Sequence, residues 1–169
     1  MASKLRVDSI LPVDGAPTNG GGGIIQVVHA STQTGQSQSF STDSFADTGL
    51  SASITPKFST SKILITGYVS WYVTISGNGS AEWNFSICDS SDNILDGTGN
   101  SAEGYRFNEL YAQGGKHPIN FLHSPSTTSP FTYKIRMNAK QANQSGLLYA
   151  QANGNANCIS RITLMEVSA

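Results

Sequence analysis

The segment Ser61–Ser76 alternates apolar and polar side chains, and this alternation constrains the fold more than any other feature of the sequence. One parity of the segment consists of Ile63, Ile65, Val69, Trp71, Val73 and Ile75, with Gly67 as the only gap. Successive side chains of a β-strand point to opposite faces, so the pattern predicts a long strand with one buried face. Gly67 lacks a side chain and therefore marks the expected position of a bulge or bend.

The opposite face of this predicted strand is only partly polar. It carries Leu64, Tyr68 and Tyr72 among threonine, serine and lysine residues. Tyrosine offers a flat apolar ring with one polar tip, a combination that is common at protein interfaces. These three residues therefore indicate a second contact surface, either another sheet or another subunit, and we interpret them as candidates for a subunit interface.

Alternating segments recur along the rest of the chain, and no segment has a convincing helical period. Further strands are predicted at Ile24–Ala30, Leu50–Ile54, Trp83–Ile87, Tyr105–Tyr111, Ile119–His123, Phe131–Met137, Leu147–Ala152 and Cys158–Val167. The strand containing Trp83 follows the turn-rich stretch Ile75–Ser80, which predicts a hairpin with the long strand. Eight to ten short strands are typical of an all-β, antiparallel β-sandwich, and the spacing fits a jelly roll best.

Residues 1–23 differ from the body of the chain. Their apolar side chains are Leu5, Val7, Ile10 and Leu11, and the segment ends in the glycine run Gly20, Gly21, Gly22 and Gly23. A glycine run has little backbone preference and acts as a flexible joint. The sequence therefore predicts an extended N-terminal arm and hinge over residues 1–23, followed by a β-sandwich domain over residues 24–169. The apolar arm residues require a surface on which to be buried, either a second copy or a larger particle.

Composition argues against several kinds of partner. Charged residues make up 12% of the 169 residues and the net charge is −1, whereas nucleic-acid binding requires a basic face. The N-terminal sequence lacks the apolar core of a signal peptide, so we expect synthesis in a cytoplasm. No apolar stretch approaches the roughly 20 residues that span a bilayer, so no membrane insertion is expected. Cys88 and Cys158 are predicted to be buried thiols.

No motif for catalysis, a cofactor or a metal is recognisable. In a trimer, any one of the three histidines, repeated three times around the axis, could supply metal ligands, but hydrogen-bonded or exposed histidines are the favoured interpretation. Two of the three glutamates could act as a glycosidase pair only if they faced each other across a cleft. The favoured interpretation is that the glutamates are solvated charges. These residues are His29, His117, His123, Glu82, Glu103 and Glu109. The prediction is a protein that is not an enzyme and that needs no cofactor or metal.

Other tyrosines are candidates for stacking on sugars. These tyrosines are Tyr105, Tyr111 and Tyr149. Predicted loops rich in asparagine, glutamine, serine and glycine could supply hydrogen bonds to a carbohydrate, although such residues are also ordinary in loops. These loops are Gly77–Ser80, Asp96–Gly104, Gln113–His117 and Ala139–Gly146. A stand-alone carbohydrate-binding module or lectin is therefore an alternative function, and a glycan-cleaving enzyme is the least favoured one.

Several short stretches resemble the small virion proteins of tailed bacteriophages, marine ones especially. These stretches are Ser3–Ile10 with the glycine run, Ile24–Val28, Ser61–Ile65 and Ile162–Val167. The resemblance implies a homotrimer whose jelly-roll knobs are similar to those of tumour necrosis factor and C1q. It also implies a position on the virion surface, with the arm attached to other phage structural proteins of the capsid or tail.

The resemblance does not choose between a tail fibre, a head fibre and a capsid cement (decoration) protein. The chain has no long repetitive shaft of the kind typical of tail fibres, which favours a short knob on the capsid or its base. Host attachment through a surface glycan is a further function that the resemblance implies for a knob in this position.

Overall fold

The computed structural model describes residues 23–40, 44–75, 79–97, 103–107, 111–142, 145–151 and 158–168. Within these ranges the regular structure consists of ten β-strands without a helix, which confirms the predicted all-β fold. The strands are β1 (Ile24–Thr32), β2 (Gln36–Ser39), β3 (Phe45–Ile54), β4 (Lys62–Ile75), β5 (Gly79–Cys88), β6 (Glu103–Phe107), β7 (Tyr111–His123), β8 (Phe131–Ala142), β9 (Gly146–Ala150) and β10 (Ser160–Val167). No helix in the described part of the chain has the length and apolar character needed to cross a membrane.

The strands form two antiparallel sheets. In the β4 sheet, β7 pairs with one edge of β4, while β10 and then β9 pair with the other edge. The same sheet continues through β1 beside β10 and β2 beside β9. The β8 sheet has the strand order β3-β8-β5-β6. With β2 and β9 set aside, the order β1-β10-β4-β7 faces the order β3-β8-β5-β6, which is the strand arrangement of a jelly roll.

The hydrophobic core fills the space between the two sheets. Alternate residues of each strand supply it, as the period-two patterns predict. Its largest fully buried side chains include Trp83, Tyr133, Leu50, Ile63, Ile65, Met137 and Leu164. Each sheet therefore has one face toward the core and one outer face.

The predicted hairpin between the long strand and β5 is wrong. β4 belongs to one sheet, whereas β5 pairs with β8 and β6 in the other. Trp71 of β4 and Trp83 of β5 instead meet across the core, with ring centroids 4.9 Å apart. An alternating pattern shows which face of a strand is buried, but two strands that pack face to face carry the same pattern as two that pair side by side.

The strand predicted over residues 105–111 is divided between the two sheets. β6 pairs with β5, whereas β7 pairs with β4 and includes the predicted loop Gln113–His117. Gly115 fits within β7 because Trp71 packs against it: a Cβ there would lie 2.9 Å from the indole ring. Pro118 is tolerated because, among the described strands, β7 pairs only with β4 and so forms an edge. The start of the predicted loop Ala139–Gly146 likewise belongs to a strand, β8.

Gly67 does not form the predicted bulge. The register of β4 with both β7 and β10 continues through this residue without a shift. Its φ is +155°, and a Cβ would overlap the backbone oxygen of Arg161 and lie 3.0 Å from the Cα of Ile162. Glycine is therefore required here because the backbones of β4 and β10 approach each other closely.

Replacing Gly67 by alanine is expected to reduce the free energy of unfolding by about 3 kcal/mol, because two central strands must separate. Gly97→Ala is the matched control, since Gly97 has a φ of +70° but nothing lies within 4 Å of the position that a Cβ would take there. The control should cost about 1–2 kcal/mol, the usual penalty of a left-handed residue. Urea unfolding of both variants measures the difference, and equal losses would contradict the close-approach explanation.

Candidate interaction face

One end of the outer face of the β4 sheet is apolar. The strand register aligns Val27, Met165, Leu64 and Leu122 in a single row across β1, β10, β4 and β7. Val27 is 57% exposed and Leu122 is 50% exposed, while Leu64 and Met165 between them are half-buried. Ile24, which is 60% exposed, lies at the same end of β1. The four aligned residues are termed the apolar row. Their large apolar side chains are neighbours on a surface that faces solvent.

The opposite end of this face carries aromatic and basic side chains. Tyr72 of β4 and Tyr149 of β9 are cross-strand partners whose ring centroids lie 6.1 Å apart. Tyr68 is four residues from Tyr72, about 13 Å along the strand. The Nζ atom of Lys116 lies 4.4 Å from the centroid of the Tyr68 ring, and exposed Arg161 pairs with Tyr68 in the register. These five residues are termed the tyrosine–cation cluster.

The charges on this face are all positive in the described part of the chain. They are Lys62, Lys116 and Arg161, and none of the three forms an ion pair with a described carboxylate. The outer face of the β8 sheet differs, since Lys134 and Arg136 both contact Asp92 there. Lys134 and Arg136 on one face are therefore paired within the chain, whereas the other face presents unpaired basic groups to any partner that binds it.

A buried carboxylate fixes the backbone beneath the apolar row. Glu166 of β10 is fully buried and accepts hydrogen bonds from Gln26 Nε2 at 2.6 Å and the backbone nitrogen of Lys57 at 2.7 Å. Burial by itself raises the pKa of Glu166, but the hydrogen bonds from Gln26, Ser61 and the backbone outweigh burial and hold that pKa below its ordinary value. β1, β10 and the loop before β4 are thereby joined at this end of the sheet.

The structure separates the three histidines. His29 is exposed on the outer face of the β4 sheet, with Nδ1 3.1 Å from Thr163 Oγ1. His117 points toward the core side of β7, where its ring lies 5.2 Å from that of Phe85. His123 lies farther along the same side of β7. Among the described residues, no three histidine, cysteine, aspartate or glutamate side chains are grouped so that they could hold a metal ion.

Both cysteines are free thiols. Cys88 is buried and Cys158 is half-buried, so the prediction of buried thiols is met fully only at Cys88. Burial raises the pKa of Cys88 to about 11. The thiolate, which is the reactive form, is therefore disfavoured at neutral pH.

The predicted site residues lie in several different parts of the chain. Leu64 belongs to the apolar row, while Tyr68, Tyr72 and Tyr149 belong to the tyrosine–cation cluster. Tyr149, a predicted sugar contact, thus lies directly beside Tyr72, a predicted interface residue. Glu82 is exposed on β5. The arm residues Leu5, Val7, Ile10 and Leu11, the hinge residues Gly20, Gly21 and Gly22, and the side chains of Glu103, Tyr105, Glu109 and Tyr111 lie outside the described residues.

Sequence reasoning missed several members of this face. They are Val27, Met165, Leu122, Lys116 and Arg161. Each has a signal in the sequence, because each lies on the second parity of a strand. The signal is insufficient by itself, since only the pairing register shows that these residues are neighbours.

No family model and no curated protein matches the chain. Solved structures that align weakly with this chain include a chain from infectious bursal disease virus Gx strain, with 13% identity and a TM-score of 0.38 over 86% of this chain. The VP2 subviral particle of the same virus has 10% identity and a TM-score of 0.37 over 84% of this chain. The matches span only 37% and 39% of those longer chains. A likeness of this degree assigns neither a family nor a function.

His123 links the two sheets at one end of the sandwich. Its Nδ1 atom lies 2.9 Å from the hydroxyl of Tyr133, a fully buried residue of β8, and its ring lies 5.4 Å from that of Phe131. Burial lowers the pKa of His123, and the charge of Asp89 only partly opposes this effect. Burial also raises the pKa of Tyr133, so its hydroxyl stays protonated.

We expect this histidine to make folding stability depend on pH below neutrality. The unfolded chain, with an ordinary histidine pKa of 6.5, binds the proton more readily than the folded chain, so stability should fall as pH decreases from 7 to about 5.5. His123→Asn should be less stable at pH 7 but should show a smaller loss over this range. Urea midpoints at both pH values test this, with His29→Asn as the exposed control. If His123→Asn lost as much stability as the wild type between pH 7 and about 5.5, the assignment would be contradicted.

Proposed function

We propose that this chain is a non-enzymatic structural protein of a bacteriophage particle, a homotrimeric jelly-roll knob on the virion surface. The observation that carries the self-association is the apolar row, in which Val27 and Leu122 are each at least half exposed in the isolated chain. Burial of apolar area contributes about 25 cal/mol per Å², so covering this row with another copy is favourable. The row spans four strands and therefore presents a continuous apolar surface to another copy.

The particle assignment is supported by the resemblance of the N-terminal segment and the long strand to phage virion proteins. The jelly-roll strand order agrees with the fold that this resemblance implies. A fold by itself does not define a function, so the assignment depends on the sequence resemblance and on the experiments below. The proposal covers a capsid decoration protein and a short fibre alike, with other capsid or tail proteins as partners.

Gly23, the last residue of the predicted arm and hinge, lies at the same end of the β4 sheet as the apolar row. The backbone oxygen of Gly23 accepts a hydrogen bond from Ser168 N at 3.1 Å, directly after the last residue of β10. Trimerisation would therefore bring three arm attachment points to one end. Three weak arm contacts acting together bind far more tightly than one, since the second and third contacts form at high effective concentration.

Self-association through the apolar row is tested by Leu122→Asp. The wild-type chain is expected to sediment as a trimer, and the variant as a folded monomer, because a carboxylate cannot be buried in an apolar contact without a partner. Ser51→Asp places the same charge on the exposed outer face of the β8 sheet and should leave the trimer intact. A trimer formed by Leu122→Asp would contradict the assigned interface. A monomeric wild-type chain would contradict the proposal and favour a stand-alone carbohydrate-binding module.

Attachment through the arm is tested by deleting residues 2–18. The truncated chain should remain a soluble trimer that no longer joins the particle, since Leu5, Val7, Ile10 and Leu11 are removed while the apolar row is kept. Burying even about 200 Å² of arm surface per copy would contribute about 5 kcal/mol, enough to decide attachment. Co-sedimentation with purified particles measures the loss. Truncated protein that still joins particles would show that the arm is not the anchor.

A further inference from the structure

The tyrosine–cation cluster is a separate surface from the apolar row. Tyr68, the cluster member of β4 nearest the row, is four residues from Leu64 (about 13 Å), and Tyr72 is eight residues away (about 26 Å). Tyr149 comes from β9, which pairs with β4 only over Trp71–Ile75 and does not reach the apolar row. A contact centred on the apolar row therefore does not require the cluster, and ligand binding at the cluster does not rest on the proposed function.

The rings of the cluster are placed so that a ligand can reach them. Tyr72 and Tyr149 are half-buried side chains on an outer sheet face. On the other side of Tyr72 lies exposed Gly114, where a Cβ would sit 3.3 Å from Cδ2 of the Tyr72 ring. The absence of a side chain at Gly114 leaves this border of the ring uncovered. Flat apolar rings with hydroxyl tips suit the carbon–hydrogen faces and hydroxyl groups of sugars.

The positive charge of the cluster favours a negatively charged ligand. Lys116 and Arg161 are exposed and have no carboxylate partner among the described residues, and Lys116 lies over the Tyr68 ring. Two copies of this surface would bring like charges together, which opposes a self-contact here. A carboxylate or sulfate group would instead be attracted, and the guanidinium group of Arg161 matches such oxygens with two parallel donors.

We propose that the tyrosine–cation cluster binds an acidic oligosaccharide, one that carries uronic acid or sulfate groups. Tyr72 and Tyr149 stack on sugar rings, and Lys116 and Arg161, which lie toward Tyr68, bind acidic groups farther along the oligosaccharide. Nucleic acid is not the partner, because two cations on a chain of net charge −1 are too few to replace the counterions of a phosphate backbone.

Titration calorimetry of the full-length chain with a sulfated hexasaccharide tests the proposal, with the unsulfated hexasaccharide and a single-stranded oligonucleotide of equal charge as comparison probes. The sulfated sugar should bind most tightly. Lys116→Gln and Arg161→Gln should each weaken that binding about fivefold and reduce its salt dependence, while Tyr149→Ala should weaken it about tenfold. Lys62→Gln, which removes an equal charge at the other end of the same face, should bind like the wild type.

Several outcomes would overturn the proposal. They are an absence of binding to every probe, equal binding of the sulfated and neutral sugars, tighter binding of the oligonucleotide, and equal weakening by Lys62→Gln. The exposed positions Lys116 and Arg161 keep the test decisive even if Tyr149→Ala unfolds. Sedimentation of the same samples separates this result from the proposed trimer, because the Leu122→Asp monomer should bind the sulfated sugar as the wild type does.

Discussion

The sandwich depends on how β4 divides one of its edges between two strands. β10 pairs with β4 as far as Tyr68, and β9 pairs with it from Trp71 onward. Ser70 fills the gap: its nitrogen donates to Ser160 Oγ at 2.9 Å, and its hydroxyl donates to the oxygen of Ile159 at 2.8 Å. Its own backbone oxygen accepts from the nitrogen of Gln151 at 2.8 Å. The backbone groups of Ser70 are therefore paired at the break between two strands, where unpaired groups would be costly in a buried position.

Gln151 extends this junction to the other sheet. Its side chain is fully buried, and with the amide oriented so that both of its polar atoms are paired, the amide nitrogen donates to the carbonyl oxygens of Thr48 at 2.9 Å and Thr34 at 3.0 Å. The amide oxygen accepts from Ser160 Oγ at 2.7 Å, so one side chain joins β3, β9 and β10. This network fixes the point at which β9 begins to pair with β4. The position of Tyr149 beside Tyr72, and with it the tyrosine–cation cluster, follows from that point.

The sequence predicts which face of a strand is buried better than it predicts which strands pair with one another. The alternation around Trp71 correctly identified the buried side of β4, because burial of one face imposes a period of two on the strand itself. The same alternation around Trp83 gave the wrong partner, since a strand facing β4 across the core must also be apolar on one side. Gly67 was recognised as special, yet its role depends on β10, which is nearly one hundred residues away in the chain. Contacts between distant segments leave no local pattern.

The candidate site shows the same limit. Leu64 and Tyr72 were recognisable because both lie within one strand whose second face is unusually apolar. The separation of that face into an apolar row and a tyrosine–cation cluster was not recognisable, because three of the four members of the row come from other strands. Single exposed apolar residues are normal on protein surfaces, and only their alignment across four strands gives them meaning.

The two outer faces differ in how their charged and apolar side chains are compensated within the chain. On the β8 sheet, Asp92 binds both Lys134 and Arg136, so these two basic groups are compensated within the chain. On the β4 sheet, the described basic groups have no such carboxylate, and the largest exposed apolar side chains of β1 and β7 lie on the same surface. Exposed apolar area and uncompensated charge each raise the free energy of an isolated chain. A partner that covers the exposed apolar area would stabilise the outer face of the β4 sheet. An acidic ligand that neutralises the basic groups would stabilise the same face, and neither of them requires the β8 sheet.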